Sequence, residues 1–366
     1  MKNRNTTPLF PSQLFVVASI VVVIVGGISL PAYGQTQGEA SAIDSKPPKN
    51  QLIKTIPVGS QPFSLVVSPK GDFVYVAMTY SQTISVIATS TNTVSTTYAT
   101  APYYAGPLVI TPDGNNLYAV SAPYQDGLGT ATTAYELSVS TGSVVQTFTV
   151  GLNPDGIAIS PNGKQIWVTN FEKDSTGTIS IIDTANQTVL PFTVDIEGDP
   201  NLIAFTPNGK HVYAGMNASG DLSLIATSPY KILKSTIGHF PSALAIAPNG
   251  KKLYTIGENG PISVINTTDN KLVKEIAIHG PQAFGTNLAL TSNNKYLYVP
   301  FLGAGFTPQL DMIDTATNKI VAGPILLNTS SEEAGFYGAA ITPDAKYLYI
   351  SDNIAGVVYV VDISPE

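Results

Sequence analysis

Two histidines and one glutamate form the strongest local group of chemically useful side chains in the sequence. His239 and His279 lie in similar segments that each lead to a proline, and Glu258 lies between them. Imidazole and carboxylate groups bind Zn²⁺, and they can also act as a general base and a general acid. These three residues are therefore the catalytic candidates. Their spacing also follows an internal repeat, so a coincidence of the repeat is the alternative.

Further polar and aromatic side chains in similar segments are candidates for holding a ligand. They are Asn170, Glu172, Asn217, Asp221, Glu258, His279, Asp352, Asn353, Tyr103 and Tyr104. Carboxylates around one entrance would attract a divalent cation or a small polar ligand, and exposed tyrosines could stack on a sugar or enter a partner's pocket. The alternatives are a solvated loop surface for the acids and caps on hydrophobic strand edges for the tyrosines. The sequence shows no evident site for an organic cofactor, and it leaves open whether these residues hold a divalent cation.

A short phrase that returns seven times defines the elements that must position these residues. Each copy has a small residue, Pro, a polar residue and Gly or a substitute for them, followed by a strand-like run: Ser68–Gly71, Thr111–Gly114, Ser160–Gly163, Thr206–Gly209, Ala247–Gly250, Thr291–Asn294 and Thr342–Ala345. Pro and Gly suit a tight turn between two strands. A period of roughly 40–50 residues with four strand signals per unit predicts an all-β, seven-bladed β-propeller with four antiparallel strands per blade.

The two ends of the repeat array predict how the ring closes. The first unit has strand signals at Ser64–Val67, Phe73–Met78, Thr83–Ala88 and Thr93–Tyr98. The chain ends with Val357–Ile363, a third strand that no fourth strand follows. Gln51–Val58 resembles a fourth strand but precedes any first strand. We therefore predict that the amino-terminal strand closes the last blade.

The repeat resembles that of the YVTN-type β-propellers. The phrases that carry the resemblance are Ile56–Pro62 (IPVGSQP), Gln165–Asn170 (QIWVTN) and Met312–Asn318 (MIDTATN), and the likeness extends over about residues 51–363. It implies a seven-bladed propeller of a kind found in secreted and surface-layer proteins, within a superfamily that includes lactonases. The matching residues are scaffold residues, so the resemblance assigns no catalytic role to any of them.

Loops of variable length open on one face of the predicted propeller, which we call the top. They follow the second and fourth strands, whereas the bottom turns after the first and third strands barely vary. Acidic residues concentrate in the top loops and lysines in the bottom turns. Because propellers commonly bind at the channel mouth, we expect a binding or interaction module with an acidic top face. The alternative is a lactonase-like hydrolase that uses carboxylates and histidine at that mouth.

The amino-terminal segment has the pattern of an export signal over residues 1–34. Lys2 and Arg4 precede an uncharged run at 14–30, and Ala32-Tyr33-Gly34 offers small residues for cleavage. An uncleaved anchor is the alternative, and only then would the protein contact a membrane. Residues 35–50 predict a flexible linker and residues 51–366 a single propeller. We expect an exported protein that is extracellular, at the cell surface or periplasmic.

The net charge and the cysteine content limit the classes of partner and the chemistry that we expect. The net charge is −7 and Arg4 is the single arginine, so nucleic-acid binding is not expected. The absence of cysteine excludes disulfides and thiolate chemistry. An extracellular protein, a glycan or a small polar ligand is the expected partner. The sequons that could accept a glycan begin at Asn186, Asn217, Asn266 and Asn328.

Overall fold

The computed structural model describes residues 46–121, 131–171, 176–216, 220–234, 241–257, 260–279, 288–303, 307–327 and 334–366. Within these ranges every regular element is a β-strand, and the strands form seven antiparallel sheets. The same ranges contain no helix that is long and apolar enough to cross a membrane. The predicted export signal, with its apolar run at 14–30, lies outside the described residues.

Each sheet is one blade, and its strands follow one another from the centre outwards. The chain starts with β1 (Gln51–Pro57). Blade 1 comprises β2 (Pro62–Val67), β3 (Phe73–Met78), β4 (Thr83–Ala88) and β5 (Thr93–Ala99), and blade 2 comprises β6 (Ala105–Ile110), β7 (Asn116–Ser121), β8 (Thr133–Ser138) and β9 (Ser143–Thr149). Blade 3 comprises β10 (Pro154–Ile159), β11 (Gln165–Phe171), β12 (Thr176–Asp183), β13 (Thr188–Val189) and β14 (Val194–Glu197).

The remaining four blades repeat this order. Blade 4 comprises β15 (Pro200–Phe205), β16 (His211–Met216), β17 (Leu222–Thr227) and β18 (Tyr230–Lys234), and blade 5 comprises β19 (Pro241–Ile246), β20 (Lys252–Gly257), β21 (Ile262–Asn266) and β22 (Lys271–Ile276). Blade 6 comprises β23 (Ala289–Leu290), β24 (Tyr296–Leu302), β25 (Pro308–Asp314) and β26 (Lys319–Leu326), and blade 7 comprises β27 (Phe336–Ile341), β28 (Tyr347–Asp352) and β29 (Val357–Asp362).

The inner strands of consecutive blades contact one another in a closed circle. Contacts run from β2 through β6, β10, β15, β19 and β23 to β27, and β27 returns to β2. Buried aliphatic and aromatic side chains fill the spaces between the blades. The predicted seven-bladed propeller is therefore confirmed.

The closing strand lies where the sequence predicts it. β1 pairs antiparallel with β29, from Gln51 opposite Asp362 to Pro57 opposite Val357. It buries Ile56, which is 3% exposed. The pairing continues beyond the strand at Pro48 and Pro365. Blade 7 therefore takes its outer strand from the amino-terminal part of the chain.

Asn50 completes the turn between the third and fourth strands of blade 7. It has a φ of 51° and accepts a hydrogen bond of 2.9 Å from the hydroxyl of Tyr298 in blade 6. In blade 1, Asn92 has a φ of 52° at the corresponding position and accepts a hydrogen bond of 2.5 Å from Tyr349 of blade 7. The two ends of the chain thus rebuild a turn that is continuous in the other blades.

The repeated Pro-x-Gly phrase forms a ring of contacts between blades on the bottom face. Gly163 of blade 3 has a φ of 71°, and a Cβ there would lie 3.0 Å from the Cδ of Pro112 in blade 2. The same Gly-to-Pro contact occurs between blades 7 and 1. Between blades 5 and 6 it is replaced by a hydrogen bond of 2.8 Å from the amide of Asn249 to Asn294. The repeated phrase therefore forms contacts between neighbouring blades in addition to the turn between the first and second strands.

Candidate functional site

The top ends of the inner strands share an irregularity that places one extra residue at the channel mouth. In blades 1, 2, 3, 4, 5 and 7 the register between the first and second strands shifts within the first residues of the inner strand. Such a bulge leaves a residue outside the ladder and changes the direction of its side chain. The residues at this position include Phe63, Asp155, Asn201, Ser242 and Tyr337, which we call the mouth residues.

The mouth is aromatic where blades 7 and 1 meet. The rings of Phe63 and Tyr337 stack with their centroids 5.3 Å apart. This contact shows that bulge residues of neighbouring blades lie side by side. Burial, with a smaller contribution from Tyr80, raises the pKa of Tyr337 above its ordinary value. The side chain of Tyr80 is 53% exposed, so the aromatic patch extends to the surface.

The opposite side of the mouth is polar. Asp155, Asn201 and Ser242 are the mouth residues of blades 3, 4 and 5. In the circle of seven blades, these three lie opposite blades 7 and 1. Asn201 is 3% exposed, and neither atom of its amide has a hydrogen-bond partner among the residues that the structure describes. Burying such groups unpaired costs about 1–3 kcal/mol each. Asn201 therefore needs a partner from outside the described residues.

Asp199 adds a second unsatisfied group beside Asn201. Its Oδ1 is buried and has no partner in the described part of the chain, and burial raises the pKa of this carboxyl above its ordinary value. Asp199 and Asn201 flank Pro200, and Asn153 and Asp155 flank Pro154 in the preceding blade. The phrases Asn-Pro-Asp and Asp-Pro-Asn thus begin two adjacent inner strands. Aligning the residues around this proline between repeats would have revealed the polar pair.

Asn170 is held within blade 3. It is fully buried, and its Nδ2 donates to Ser180 Oγ at 3.0 Å and to Thr178 Oγ1 at 3.2 Å. Within the described ranges its Oδ1 is buried without a partner, as is the Oδ1 of Asn153 in the adjacent loop. Gly151 leaves room for this amide, since a Cβ there would lie 2.7 Å from Asn170 Cγ. Asn170 therefore supports the loop that leads to the mouth residue of blade 3.

Asp352 occupies the corresponding position in blade 7, opposite the first residue of the inner strand. Its Oδ1 accepts hydrogen bonds of 3.1 Å from the backbone amides of Gly335, Ile354 and Ala355. Its Oδ2 accepts one of 3.0 Å from the hydroxyl of Tyr359. Both oxygens are thus engaged by the blade itself, and the residue is 1% exposed.

His279 pairs with the carboxylate of Asp311, a residue that is not among the candidates from the sequence. Its Nδ1 lies 2.8 Å from Asp311 Oδ1, and its backbone amide donates to Asp311 Oδ2 at 3.1 Å. The Asp311 side chain is fully buried, whereas that of His279 is 45% exposed. In blade 3, the amide of Gly151 donates to Ser180 in the same way. Blade 6 therefore carries His and Asp where blade 3 carries Gly and Ser.

This His–Asp pair lies away from the channel. Asp311 is on β25, the third strand of blade 6, and two strand spacings of about 5 Å separate it from the inner strand. Nδ1–H bonded to the carboxylate would leave Nε2 as the basic nitrogen of the imidazole. The two other catalytic candidates, His239 and Glu258, lie outside the described residues. So do Glu172 and Asn217 among the ligand candidates.

The remaining ligand candidates lie at the top but not in one group. Tyr103 stacks on Tyr135 at 5.2 Å between ring centroids and packs against the core of blades 1 and 2. Tyr104, Asp221 and Asn353 are half-buried. Among the described residues, no three His, Asp or Glu side chains form a group that could hold a metal ion.

Two of the four sequons begin at residues that the structure describes. Asn186 is exposed in the bottom turn of blade 3, and its Nδ2 donates to Asp183 at 2.8 Å. Asn266 is the last residue of β21 and is half-buried. The sequons at Asn217 and Asn328 begin outside the described residues.

A groove with a volume of about 620 Å³ lies on the outer side of blades 3 and 4. The outer strand of blade 3 is split into β13 and β14, with Pro191 in the interruption, and β14 lines the groove. Asp195, Glu197 and Ile232 are among the residues that line it. The groove is separated from the channel by the inner strands of both blades.

Comparisons with known proteins support the propeller fold, but they do not assign the chain to a protein family. No protein-family model matches the chain. An uncharacterised Bacillus subtilis protein, YwhL, is 26% identical over 217 residues, which are 55% of this chain and 42% of that protein. The match therefore spans less than half the length of this relative. A chain of Kuenenia stuttgartiensis hydrazine synthase has the same fold, with a TM-score of 0.69, 18% identity and coverage of 91% of this chain and 100% of that chain. Membership of the YVTN-type family stays a prediction.

Proposed function

We propose that this propeller is a binding or interaction module that takes a polar ligand or the polar segment of a partner at the channel mouth. The observation that carries the proposal is the polar side of the mouth, where half-buried Asp155 and Ser242 flank Asn201, a buried residue whose amide has no partner among the described residues. Buried polar groups are nearly always hydrogen-bonded, so an unpaired one at an opening is a mark of a binding site. Asp155 and Asp199 give this part of the mouth a negative charge.

We also propose that the protein acts outside the cytoplasm. The support is the signal-like pattern of residues 1–34 and the lack of cysteine throughout the chain. The expected partners are an extracellular protein, a glycan or a small polar molecule, with a divalent cation as a further ligand of the acidic mouth.

A thermal-shift screen with polar metabolites, oligosaccharides and peptides tests binding at the mouth. Trp167 is the single tryptophan and is fully buried, so its fluorescence reports unfolding. A ligand at 100 times its Kd should add about 2.7 kcal/mol to the free energy of unfolding. The variants Asp155→Ala and Asn201→Ala should lose this gain. Lys210→Ala, in an exposed bottom turn, should keep it. A ligand that stabilises all three variants equally would contradict the proposed site.

A lactonase-like hydrolase is the second candidate, and the His279–Asp311 pair favours it, although this pair lies away from the channel mouth at which the sequence predicts the site. Nε2 of His279 would take a proton from a water that attacks the lactone carbonyl, and it would return that proton to the ring oxygen as the ring C–O bond breaks to give the hydroxy acid. If this is correct, His279→Ala should lower kcat/KM for lactones at least about 100-fold. His211→Ala, on the bottom face, is the matched control and should leave kcat/KM unchanged. No hydrolysis of a lactone panel by the unaltered protein would rule out this candidate.

A further inference from the structure

The bottom face of blades 4, 5 and 6 carries a concentration of exposed lysines, which we call the basic sector. They lie in the bottom turns and in the strand residues beside them: Lys210, Lys231, Lys251, Lys271, Lys274 and Lys319. The acids beside the same turns, Asp269 and Asp314, accept hydrogen bonds from backbone amides of their own turns. The chain as a whole has a net charge of −7, so this positive charge is local to one part of the surface.

The rest of the bottom face does not share this excess of lysine. In blades 1 to 3, the acids in and beside the bottom turns outnumber the lysines, with Asp72, Asp113 and Asp183 against Lys70 and Lys164. In blade 7, Asp344 lies in the same turn as Lys346. The positive charge is therefore confined to one side of the disc.

Two lysines of blade 5 are held against the neighbouring turn of blade 6. Nζ of Lys252 donates to the carbonyl of Thr315 at 2.5 Å and to Asn318 Oδ1 at 3.0 Å. Nζ of Lys274 donates to the carbonyl of Asn318 at 2.9 Å. Two ammonium groups thus contact one residue, and like charges at such short range repel each other. An anionic partner over this joint would lower that repulsion.

The bottom face is also even in height. Five residues separate the first strand from the second in each of the seven blades, for example 206–210 in blade 4 and 247–251 in blade 5. Turns of equal length at the ends of equivalent strands reach the same level. A planar partner can therefore contact the lysines of three blades at once.

The chain enters the propeller on this same face. Lys49 pairs with Asp362 at 3.2 Å, and Asn50 accepts a hydrogen bond from Tyr298 of blade 6, so the entry lies beside the basic sector. About 15 residues separate Lys46 from the apolar run at 14–30. A flexible linker of this length spans on average about 20 Å. Attachment through that run would therefore bring the bottom face, and not the mouth, close to a bilayer.

We propose that the basic sector docks the propeller on a bilayer that contains anionic phospholipids, with the bottom face on the headgroups and the channel mouth directed away from them. Each lysine close to such a surface strengthens binding about five-fold. Asp155, Asp199 and Asp221 at the top are repelled by the same surface, which favours one orientation. The contact is independent of a ligand at the mouth. It also extends the expectation from the sequence, which allows membrane contact only for an uncleaved chain.

Flotation with unilamellar vesicles measures the contact. The chain from residue 35 keeps every described residue, including the closing strand, and lacks the apolar run. It should float with vesicles of phosphatidylcholine that contain about 30% phosphatidylglycerol, and it should not float with phosphatidylcholine alone. Raising NaCl from about 0.05 M to about 0.5 M should weaken the binding at least about 10-fold, because salt screens exposed charges. No flotation on the anionic vesicles at low salt would refute the proposal.

Two triple variants compare the basic sector with lysines elsewhere. The sector variant combines Lys210→Gln, Lys251→Gln and Lys271→Gln, and it should bind the anionic vesicles about 100-fold more weakly. The control variant combines Lys54→Gln, Lys70→Gln and Lys346→Gln, which removes the same charge, and it should bind less than about 3-fold more weakly. All six lysines are exposed, so both variants should keep the melting temperature of the unaltered chain. Equal weakening by the two variants would show that binding follows net charge, and it would overturn the proposal.

Single cysteines report which face touches the bilayer, because the chain has none of its own. Ala316→Cys places an environment-sensitive fluorophore in the exposed bottom turn of blade 6. Ile354→Cys places it at the top of blade 7, where the side chain is 57% exposed. On anionic vesicles only the label of the Ala316→Cys variant should shift its emission to shorter wavelength. A shift for Ile354→Cys alone would contradict the proposed orientation. Retention on an immobilised acidic polysaccharide without flotation would refute the membrane assignment and identify a polymer as the partner of the sector.

Discussion

Deletion of residues 46–58 should abolish the single cooperative unfolding transition of the propeller. Without β1, the edge of β29 is open, Ile56 no longer packs in blade 7 and Tyr298 loses its bond to Asn50. An open ring also leaves blade 7 without its outer strand, and single blades cannot bury their own faces.

Chemical denaturation followed by two probes measures this effect. Far-ultraviolet circular dichroism reports all blades, whereas Trp167 fluorescence reports blade 3, across the ring from the closure. In the unaltered chain the two transitions should coincide, and in the deletion variant they should separate or move to much lower denaturant. A deletion variant that unfolds in the same single transition would show that the ring does not depend on its closing strand.

Two isoleucines of β1 provide a matched pair of point variants. Ile56 is 3% exposed and Ile53 is 42% exposed on the same strand. Ile56→Ala should lower the free energy of unfolding by about 2–4 kcal/mol. Ile53→Ala should change it by less than about 0.5 kcal/mol. Equal effects would indicate that β1 contributes by its backbone pairing alone.

Asp352→Ala should be the most damaging single substitution at the top face. It would leave three backbone amides and the Tyr359 hydroxyl without their acceptor, at an expected cost of about 3–5 kcal/mol. Asp352→Asn keeps the oxygen that serves the amides and should cost less than half as much. Tyr359→Phe removes one bond only, and its cost should be about 1 kcal/mol. Urea unfolding of the three variants measures the series.

The outcome for Asp352 also bears on the ligand candidates. If Asp352→Ala lowers the free energy of unfolding by less than about 1 kcal/mol, the carboxylate is not a structural cap. It would then be available to a ligand, as the sequence analysis predicts for this residue.

The architecture could be predicted because it is carried by local, repeated signals. The Pro-x-Gly phrase marks blades 1 to 5 and altered copies of it mark blades 6 and 7. The strand alternation after it places the second strand of blade 1 at Phe73–Met78, as the structure has it. The unmatched third strand at the carboxyl end and the early strand at Gln51 predict the closure. These signals act over a few residues, so one sequence is sufficient.

The mouth could not be predicted in the same way. A bulge adds one residue to a strand without changing its composition, so alternation alone does not show that Asn201 leaves the ladder. Asp311 reads as part of a buried strand, and its partner His279 comes from the connection before blade 6. In the sequence Asp352 looks like an ordinary acidic loop residue. Its role as an acceptor depends on backbone amides from two different connections of the blade.

The antiparallel pairing of β1 with β29 also has a mechanical consequence. Residues 46–50 enter at the bottom face, opposite the mouth, and β1 runs from there to the top. Tension between the entering chain and a ligand at the mouth would therefore act along the strand. It would load all the hydrogen bonds between β1 and β29 in shear at once, instead of breaking them one by one. The joint that closes the ring is thus oriented to resist pulling in that direction.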